Sequence, residues 1–296
     1  MIESSSGISR LALGTVQFGL SYGIANQRGQ VSRSEANDML KCAAGYGIDT
    51  LDTAIAYGES ESCLGEVGTQ GFKLVTKLPA IPDGCADISG WILGQLAESF
   101  SRLAVDSIYG LLLHRPDQLL HTNGYEIFNV LEDLKGKGLV QKVGVSIYAP
   151  SELEALIPRY HFDLVQAPLN LIDRRLVVSG WLQRLKSEGV EVHTRSSFLQ
   201  GLLLMPHINI PTKFLHWANI MDRWHSWLIQ NSVSAVQASL AYPLSFPEID
   251  RVIVGADSQN QLSQIVSVAK CQPKNNLPDL QCEDENLINP ANWSKL

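Results

Sequence analysis

The stretch IDTLDTAIAYG, from Ile48 to Gly58, indicates the architecture of this chain. It begins like a short buried strand, with Leu51 apolar, and then reaches Asp52 and a small-residue turn that leads to Tyr57. An Asp at the carboxyl end of a strand, followed within one loop by a Tyr, suits a barrel active site, because strand ends are rigid and the loops after them carry the chemistry. Taken alone, the stretch is equally compatible with an Asp that caps the next helix and a Tyr that only packs.

Short apolar runs alternate with amphipathic segments on both sides of this stretch. Their pattern predicts strands at residues 10–13, 48–51, 72–78, 108–113, 139–145, 163–166, 190–193 and 251–254. It predicts helices at residues 32–45 or 32–47, 60–67, 87–103, 124–137, 150–157, 176–188, 215–230, 234–242 and 260–270. The first of these helices has a capping box, because Ser32 is followed three residues later by Glu35.

These segments form about eight strand–helix units. Strands that are apolar on both faces and alternate with helices predict a parallel sheet in an α/β fold. Eight units in 296 residues predict a closed (β/α)8 TIM barrel, and no GxGxxG motif follows an early strand to favour a Rossmann domain. We therefore expect residues 1–296 to form a single domain, with residues 271–296 as an irregular C-terminal arm rich in Pro, Asn and Asp.

The composition suits a compact protein with much buried strand. Hydrophobic residues make up 45% of the chain, charged residues only 18%, and the formal net charge is -7. There is no run of Lys and Arg, which argues against nucleic acid or an acidic membrane surface as a partner. The five scattered cysteines, Cys42, Cys63, Cys85, Cys271 and Cys282, show no metal-ligand spacing and favour a reducing compartment. No signal peptide or membrane-spanning run is visible, so we expect a cytoplasmic protein.

Four polar side chains follow neighbouring predicted strands. Asp52 and Tyr57 follow the second strand, Lys77 ends the LVTK run of the third, and His114 ends the LLLH run of the fourth. Each has an ordinary explanation, since a Lys at a strand end often extends to water and a His before Arg-Pro can be a turn residue. In a barrel, however, the carboxyl ends of the strands meet at one rim, so the four are expected to converge there.

Together, these four residues could deliver a proton. A tyrosine with a pKa near 10 is a poor proton donor at neutral pH, and a nearby cation such as Lys77 would lower that pKa. Asp52 would hold the Lys77 ammonium in place and keep it charged, while His114 would orient a carbonyl oxygen. The set therefore predicts proton delivery to an oxygen on which negative charge develops, as in hydride addition to a carbonyl.

The sequence resembles the aldo/keto reductase family across nearly its whole length. The stretch at residues 47–58 is similar to the family's most specific motif, and further similar segments follow in the family's order: LALGTVQFG, LVTK, LLLHRPD, GLVQKVGVSIY, DLVQAPLN, FLQGLLL and VIVGADSQNQL. The resemblance implies a catalytic tetrad of Asp52, Tyr57, Lys77 and His114, with Tyr57 as the general acid. It also implies a nicotinamide cofactor, NADPH more often than NADH, whose hydride passes to an aldehyde or ketone.

The resemblance also implies where the cofactor would be held. The corresponding residues are, beside the nicotinamide ribose, Gly14, Thr15 and Val16; around the nicotinamide and its carboxamide, Ser146, Gln166 and Arg195; along the pyrophosphate, Ser196, Gln200, Gly201 and Leu202; and at the adenosine phosphate, Gly255, Ala256, Ser258 and Gln261.

Some of these positions depart from the family pattern. Ile147 replaces the usual Asn of the carboxamide site, Arg195 replaces a frequent aromatic, and Gln264-Ile265 replaces a Glu-Asn pair. Members that prefer NADPH commonly carry Lys or Arg after the last strand, where this chain has Asp257. We therefore expect NADH to be accepted at least as well as the family average.

The substrate is expected to be a small polar aldehyde or a sugar-type ketone. Possible wall residues are Phe18, Tyr22, Trp91 and Tyr148, although aromatic residues more often pack in a core. Trp293 either folds over the barrel mouth or belongs to a disordered tail.

Two other functions remain open at this point. One is a cofactor-sensing or assembly subunit with little turnover, which the departures at the cofactor positions would permit. The other is an aldolase or isomerase that uses Lys77 as a Schiff-base amine, against which Asp52 argues because it would keep that lysine protonated.

Overall fold

The computed structural model describes residues 7–270 and 276–296. Eight parallel strands close into a barrel, each pairing with its neighbours in chain order until the last strand pairs with the first. The strands are β1 (Leu11–Gly14), β2 (Thr50–Asp52), β3 (Lys73–Leu78), β4 (Ile108–Leu113), β5 (Val140–Ser146), β6 (Leu164–Pro168), β7 (Glu191–Arg195) and β8 (Arg251–Gly255). The predicted (β/α)8 TIM barrel is confirmed.

Helices surround the barrel. They are α1 (Val16–Gly19), α2 (Arg33–Gly45), α3 (Ser60–Val67), α4 (Ile88–Leu103), α5 (Gly124–Gly136), α6 (Ser151–Leu156), α7 (Arg175–Val178), α8 (Trp181–Ser187), α9 (Ala218–Asn231), α10 (Ala235–Leu244), α11 (Gln259–Ala269) and α12 (Glu285–Ile288). Ser32 Oγ accepts a hydrogen bond of 3.2 Å from the Glu35 N–H, so the serine of the predicted capping box acts as expected. Asp87 and Ser258 cap α4 and α11 in the same way.

Two predicted helices differ from the structure. The helix predicted at residues 176–188 is wrong as one element, because α7 ends and α8 begins with Gly180 between them. Gly180 has a φ of +80°, a backbone angle that side chains with a Cβ disfavour, and it redirects the chain. The helix predicted at residues 215–230 begins as a 3-10 helix, Thr212–Trp217, and becomes α-helical at Ala218.

The core lies between the barrel strands and the inner faces of the helices. In α4, the buried apolar residues Ile88, Ile92, Leu96 and Leu103 recur at spacings of four and seven, which places them on one face of the helix. Each such side chain contributes about 1.5–3 kcal/mol when fully buried. The exposed positions of α4 carry small or polar residues apart from Leu93, so the apolar pattern that predicted this helix also orients it.

A charged network fills the amino-terminal end of the barrel. The Tyr109 hydroxyl donates to Glu191 Oε2 at 2.6 Å, Lys142 pairs with the same carboxylate, and His193 Nε2 lies 2.6 Å from Glu191 Oε1. Burial alone would raise the pKa of Glu191, but hydrogen bonds from His193, Lys142 and Tyr109 outweigh it and hold that pKa well below its usual value. This end of a TIM barrel contributes to stability, while function is carried by the other end.

A second apolar cluster joins the segment after β7 to the end of the chain. Phe214, Trp217 and Trp224 pack there with Trp293, whose side chain is buried. The Trp293 indole N–H donates to the Leu287 carbonyl at 3.0 Å, and its ring lies 4.9 Å from that of Phe214. In the predicted arm, residues 276–296 contain α12 and a 3-10 helix, Pro290–Lys295, while residues 271–275 lie outside the described residues.

No helix in the described parts of the chain has the length and apolar character needed to cross a membrane.

Candidate active site

Neighbouring strands bring the four predicted catalytic residues together. Asp52 is the last residue of β2, Lys77 lies near the end of β3, and His114 directly follows β4. Tyr57 lies in the loop after β2, where its ring is 5.9 Å from that of His114 in an edge-to-face arrangement. Because the strands are parallel and in register, their ends place all four side chains at the same rim.

Lys77 and Asp52 form a buried ion pair. The Lys77 ammonium donates to Asp52 Oδ1 at 2.9 Å, to Asp52 Oδ2 at 2.8 Å and to the Thr53 carbonyl at 2.8 Å. These three bonds use all the donors of an ammonium group. Burial lowers the pKa of Lys77, and the neighbouring Asp52 carboxylate opposes that shift. Lys77 is therefore fixed in place and has no free donor for another group.

The environment of Tyr57 corrects one expectation from the sequence. The Lys77 ammonium lies 5.0 Å from the centre of the Tyr57 ring, yet the pKa of Tyr57 is raised well above its usual value. Burial is the main cause, the Asp52 carboxylate adds to it, and the charge of Arg195 opposes it. Both carboxylate oxygens of Asp52 accept hydrogen bonds from the Lys77 ammonium, so the negative charge of Asp52 offsets the positive charge of Lys77 near the phenol.

His114 is neutral at physiological pH. Its pKa is lowered to about 4, mainly by burial; the cations Lys77 and Arg195 contribute by repelling a second positive charge, while Asp52 opposes them. A neutral imidazole has one N–H donor and one acceptor nitrogen. His114 can therefore hydrogen-bond a substrate oxygen without bringing a charge.

A cavity of about 500 Å³ opens at the carboxyl ends of the strands. Asp52, Tyr57 and His114 line it together with most of the predicted cofactor positions: Gly14, Thr15, Val16, Arg195, Ser196, Gln200, Gly201, Gly255, Ala256 and Gln261. The other predicted positions lie behind the lining. Ser146, Gln166, Leu202 and Ser258 are buried, and Ser258 serves as the cap of α11.

A match to the model of the aldo/keto reductase family extends over residues 10–276. The chain belongs to the aldo/keto reductase family. Family membership and the names of related proteins support an oxidoreductase that acts on small-molecule carbonyl compounds.

Three relatives illustrate the range of this family. The chain is 32% identical over 168 residues to 6-dehydroglucose reductase of Novosphingobium aromaticivorans, a match that covers 51% of this chain and 53% of that protein. It is 24% identical over 287 residues to L-glyceraldehyde 3-phosphate reductase of Escherichia coli O157:H7, covering 83% and 82%. The holo structure of aldo-keto reductase AKR11C1 from Bacillus halodurans superimposes with a TM-score of 0.71 at 21% identity, covering 90% and 88%, which shows the shared fold.

Two polar side chains that the sequence did not single out point to a ligand in this aldo/keto reductase cavity. Gln17 Oε1 and Ser197 Oγ are buried in the lining, and neither has a hydrogen-bond partner among the described residues. Gly255 leaves room beside Gln17, because a Cβ at this position would approach Gln17 Nε2 to 2.4 Å. Buried polar atoms are normally hydrogen-bonded, so a polar ligand such as a dinucleotide fits this cavity.

The backbone after β7 has an unusual conformation. Ser196, Gln200 and Gly201 have φ angles of +65°, +50° and +91°, in the left-handed region that residues other than glycine rarely occupy. Segments that combine such angles can turn successive N–H groups toward an anion. Two N–H groups of this segment are already used within it, because those of Leu199 and Gly201 donate to the Ser196 and Phe198 carbonyls at 2.9 Å.

The predicted substrate-wall residues separate into two groups. Tyr22 and Tyr148 line the cavity, and the Tyr22 hydroxyl accepts a hydrogen bond of 3.0 Å from Gln200 Nε2. Phe18 is fully buried and Trp91 lies on α4, so the structure brings neither to the cavity lining. Phe18 lies in the core and the half-buried Trp91 packs against it, which follows the general tendency of aromatic residues to pack.

The C-terminal segment contributes to the cavity. Pro290 and Ala291 belong to the lining, and the buried Trp293 anchors the 3-10 helix that carries them. A tail folded over the barrel mouth was one of the two expectations for Trp293, but no pattern in the sequence singled out Pro290 or Ala291, because the contact joins segments far apart in the chain. Across residues 7–270 and 276–296, no cluster of three His, Cys, Asp or Glu side chains could hold a metal ion.

Proposed function

We propose that this protein uses NADH or NADPH to reduce an aldehyde or ketone to an alcohol, with Tyr57 as the proton donor. One observation carries the proposal: Tyr57, His114 and the Lys77–Asp52 pair meet at one end of a cavity whose other walls contain unsatisfied buried polar atoms. The tetrad supplies the proton chemistry, and the rest of the cavity provides space for a dinucleotide.

Each of these residues would have a distinct role in the reaction. The substrate carbonyl oxygen would lie between the Tyr57 hydroxyl and the His114 imidazole, whose rings are 5.9 Å apart. When bound, the nicotinamide supplies the hydride. As negative charge develops on the oxygen, the Tyr57 proton moves to it, and the charge of Arg195 assists by favouring the phenolate that remains. Lys77 and Asp52 keep the loop and the ring in position.

The cofactor would be held along the cavity by the residues that the family resemblance implies. Gly14, Thr15 and Val16 would lie beside the ribose, and Ser146 with Gln166 would hold the carboxamide. We propose that this protein accepts NADH at least as well as the family average, because Asp257 lies in the cavity wall where a cation would favour an added phosphate.

We propose a small polar or sugar-type carbonyl compound as the substrate, and the cytoplasm as the location. Two relatives are named for the reduction of such compounds, 6-dehydroglucose and L-glyceraldehyde 3-phosphate. The hydroxyl groups of Tyr22 and Tyr148 could hydrogen-bond a polyhydroxy substrate at the cavity wall.

The bonding of Lys77 weakens the Schiff-base alternative. A Schiff base requires a neutral amine that can reach a carbonyl carbon. Lys77 is fully buried, and its three N–H groups donate to Asp52 and Thr53. A cofactor-sensing subunit with little turnover remains the alternative, because the tetrad and the cavity would look the same in it.

Titration of the pure protein with NADH and with NADPH, followed by assays with reactive test aldehydes, tests the proposal. The six tryptophans report binding by fluorescence. We expect saturable binding and turnover, and we expect Tyr57→Phe to lower the turnover about 10²- to 10⁴-fold with nearly unchanged cofactor binding. Tyr125→Phe, at an exposed tyrosine, is the matched control. Binding without turnover would favour the sensing subunit, and binding of neither cofactor would refute the proposal.

A further inference from the structure

Arg195 is the one cation among the described residues that line the cavity. The two acidic residues of the lining interact with other partners: Asp52 is paired with Lys77, and Asp257 interacts with Arg28. Within residues 7–270 and 276–296, the hydrogen bonds of Arg195 go to a carbonyl and a hydroxyl, and no carboxylate pairs with it. The charge of Arg195 therefore has no counter-ion on the protein side.

The guanidinium is held in one position. Arg195 Nη2 donates to the Ile147 carbonyl at 3.0 Å, and Nη1 donates to Ser196 Oγ at 3.3 Å. Its central carbon lies 4.9 Å from the centre of the Tyr148 ring. A guanidinium with two hydrogen bonds and a stacking partner loses its freedom to swing into solvent. The charge must therefore remain beside whatever the cavity binds.

This charge acts on the catalytic end of the cavity. Arg195 lines the same cavity as Tyr57 and His114, and its positive charge opposes the raised pKa of Tyr57 and adds to the lowered pKa of His114 and Lys77. The ion pair of Asp52 with Lys77 is neutral overall, and His114 is uncharged because its pKa is about 4. The net charge at this end is therefore +1, contributed by Arg195.

We infer that Arg195 makes this site discriminate between the two redox states of the nicotinamide cofactor, binding the reduced form more tightly than the oxidised form. The inference rests on the proposed function. A hydride can reach a carbonyl whose oxygen lies at Tyr57 only if the nicotinamide ring lies at the same end of the cavity. The reduced ring is neutral, whereas the oxidised ring carries a positive charge that Arg195 repels.

The expected size of the effect follows from Coulomb's law. Two unit charges several ångströms apart in a partly buried site repel each other enough to change affinity about tenfold or more. The reduced and oxidised cofactors share every other group. The contributions of the phosphates, riboses and adenine to binding therefore cancel in the ratio of the two dissociation constants. The oxidised product would thus leave the site more readily than the reduced reactant, while the overall equilibrium of the reaction stays unchanged.

Calorimetric titration of the full-length protein with NADH and NAD⁺, and with NADPH and NADP⁺, tests the inference without any turnover. For the wild type we expect the oxidised form to bind about tenfold or more weakly than the reduced form. Arg195→Gln should bring this ratio to within about threefold, and Arg195→Lys should preserve it because the charge remains. Arg195→Tyr gives a second uncharged side chain, and Arg184→Gln, at an exposed arginine paired with Glu188, is the matched control.

Each outcome has a distinct meaning. A purely structural role for Arg195, through Ile147 and Tyr148, would weaken both redox forms equally in the Gln and Tyr variants and leave their ratio unchanged, which overturns the inference. Equal affinities in the wild type would overturn it as well. In both cases the cofactor still binds, so the proposed function stands, whereas binding of no cofactor by the wild type would refute both.

Discussion

Gln166 Nε2 donates a hydrogen bond of 2.6 Å to Asp52 Oδ1, although the two residues are 114 positions apart. Gln166 Oε1 accepts in turn from the Ser146 hydroxyl at 3.3 Å. The residues proposed to hold the carboxamide therefore belong to the same network as the Lys77–Asp52 pair. One Gln166 N–H and one oxygen lone pair remain for a further hydrogen bond.

Removal of Lys77 should destabilise the fold as well as stop turnover. Lys77→Met leaves the Asp52 carboxylate buried without a counter-charge, which costs about 3–5 kcal/mol in the free energy of unfolding. The double variant Asp52→Asn with Lys77→Met should regain most of that stability while remaining inactive. Urea unfolding of the wild type, both single variants and the double variant checks this. If the double variant lost as much unfolding free energy as the two single variants together, the two residues would not be coupled.

His114 should make stability depend on pH. Its pKa is about 4 in the folded protein and near 6.5 when unfolded, so the unfolded chain binds more protons between these values. Stability should therefore fall as the pH is lowered from about 6.5 towards 4, by up to about 3 kcal/mol. Urea unfolding at several pH values in this range measures this loss of stability. His114→Gln should flatten the profile, whereas replacement of the exposed His121 by Gln should not; equal slopes in all three proteins would contradict the assignment.

Glu35 should disfavour NADPH. Its carboxylate accepts a hydrogen bond of 2.6 Å from the Gln259 N–H at the start of α11 and lies 3.9 Å from Arg28. A helix N-terminus attracts anions, and here a side-chain carboxylate already occupies it. Glu35→Ala should strengthen NADPH binding relative to NADH roughly threefold to tenfold.

Matched titrations with the two cofactors measure this change in preference. Asp38→Asn, at an exposed carboxylate on the same helix, removes a charge of the same sign and should leave the ratio unchanged. If the Asp38 variant shifted the ratio as much as the Glu35 variant, general charge rather than the contact with α11 would be responsible.

Trp293 should hold the C-terminal wall of the cavity. Replacement of this buried residue by Ala removes its contacts with Phe214 and should cost about 3–5 kcal/mol, enough to release the segment that carries Pro290 and Ala291. We expect faster proteolysis within residues 276–296 and weaker ligand binding, with the barrel still folded by circular dichroism. Lys295→Ala, at an exposed residue of the same segment, should behave like the wild type. Unchanged proteolysis would show that the segment does not depend on Trp293.

Local patterns in the sequence were enough to predict the barrel. The apolar strands, the helical faces and caps such as Ser32 depend on neighbours a few residues apart, and the predicted strand positions agree with the structure within a few residues. The failures occurred where local signals compete. Gly180 divides a segment with continuous helical periodicity into α7 and α8, since its left-handed conformation redirects the chain at that point.

The sequence alone specified the fold class and predicted that Asp52, Tyr57, Lys77 and His114 would meet, because a parallel barrel brings every strand end to one rim whatever the details of packing. Only the tertiary structure decided which charged groups of the site are paired and which are not. Asp52 neutralises Lys77, Arg195 remains without a carboxylate partner among the described residues, and Glu35 reaches α11 across 224 positions. Such electrostatic relationships depend on distances of a few ångströms between residues far apart in the chain, and no local pattern encodes those distances.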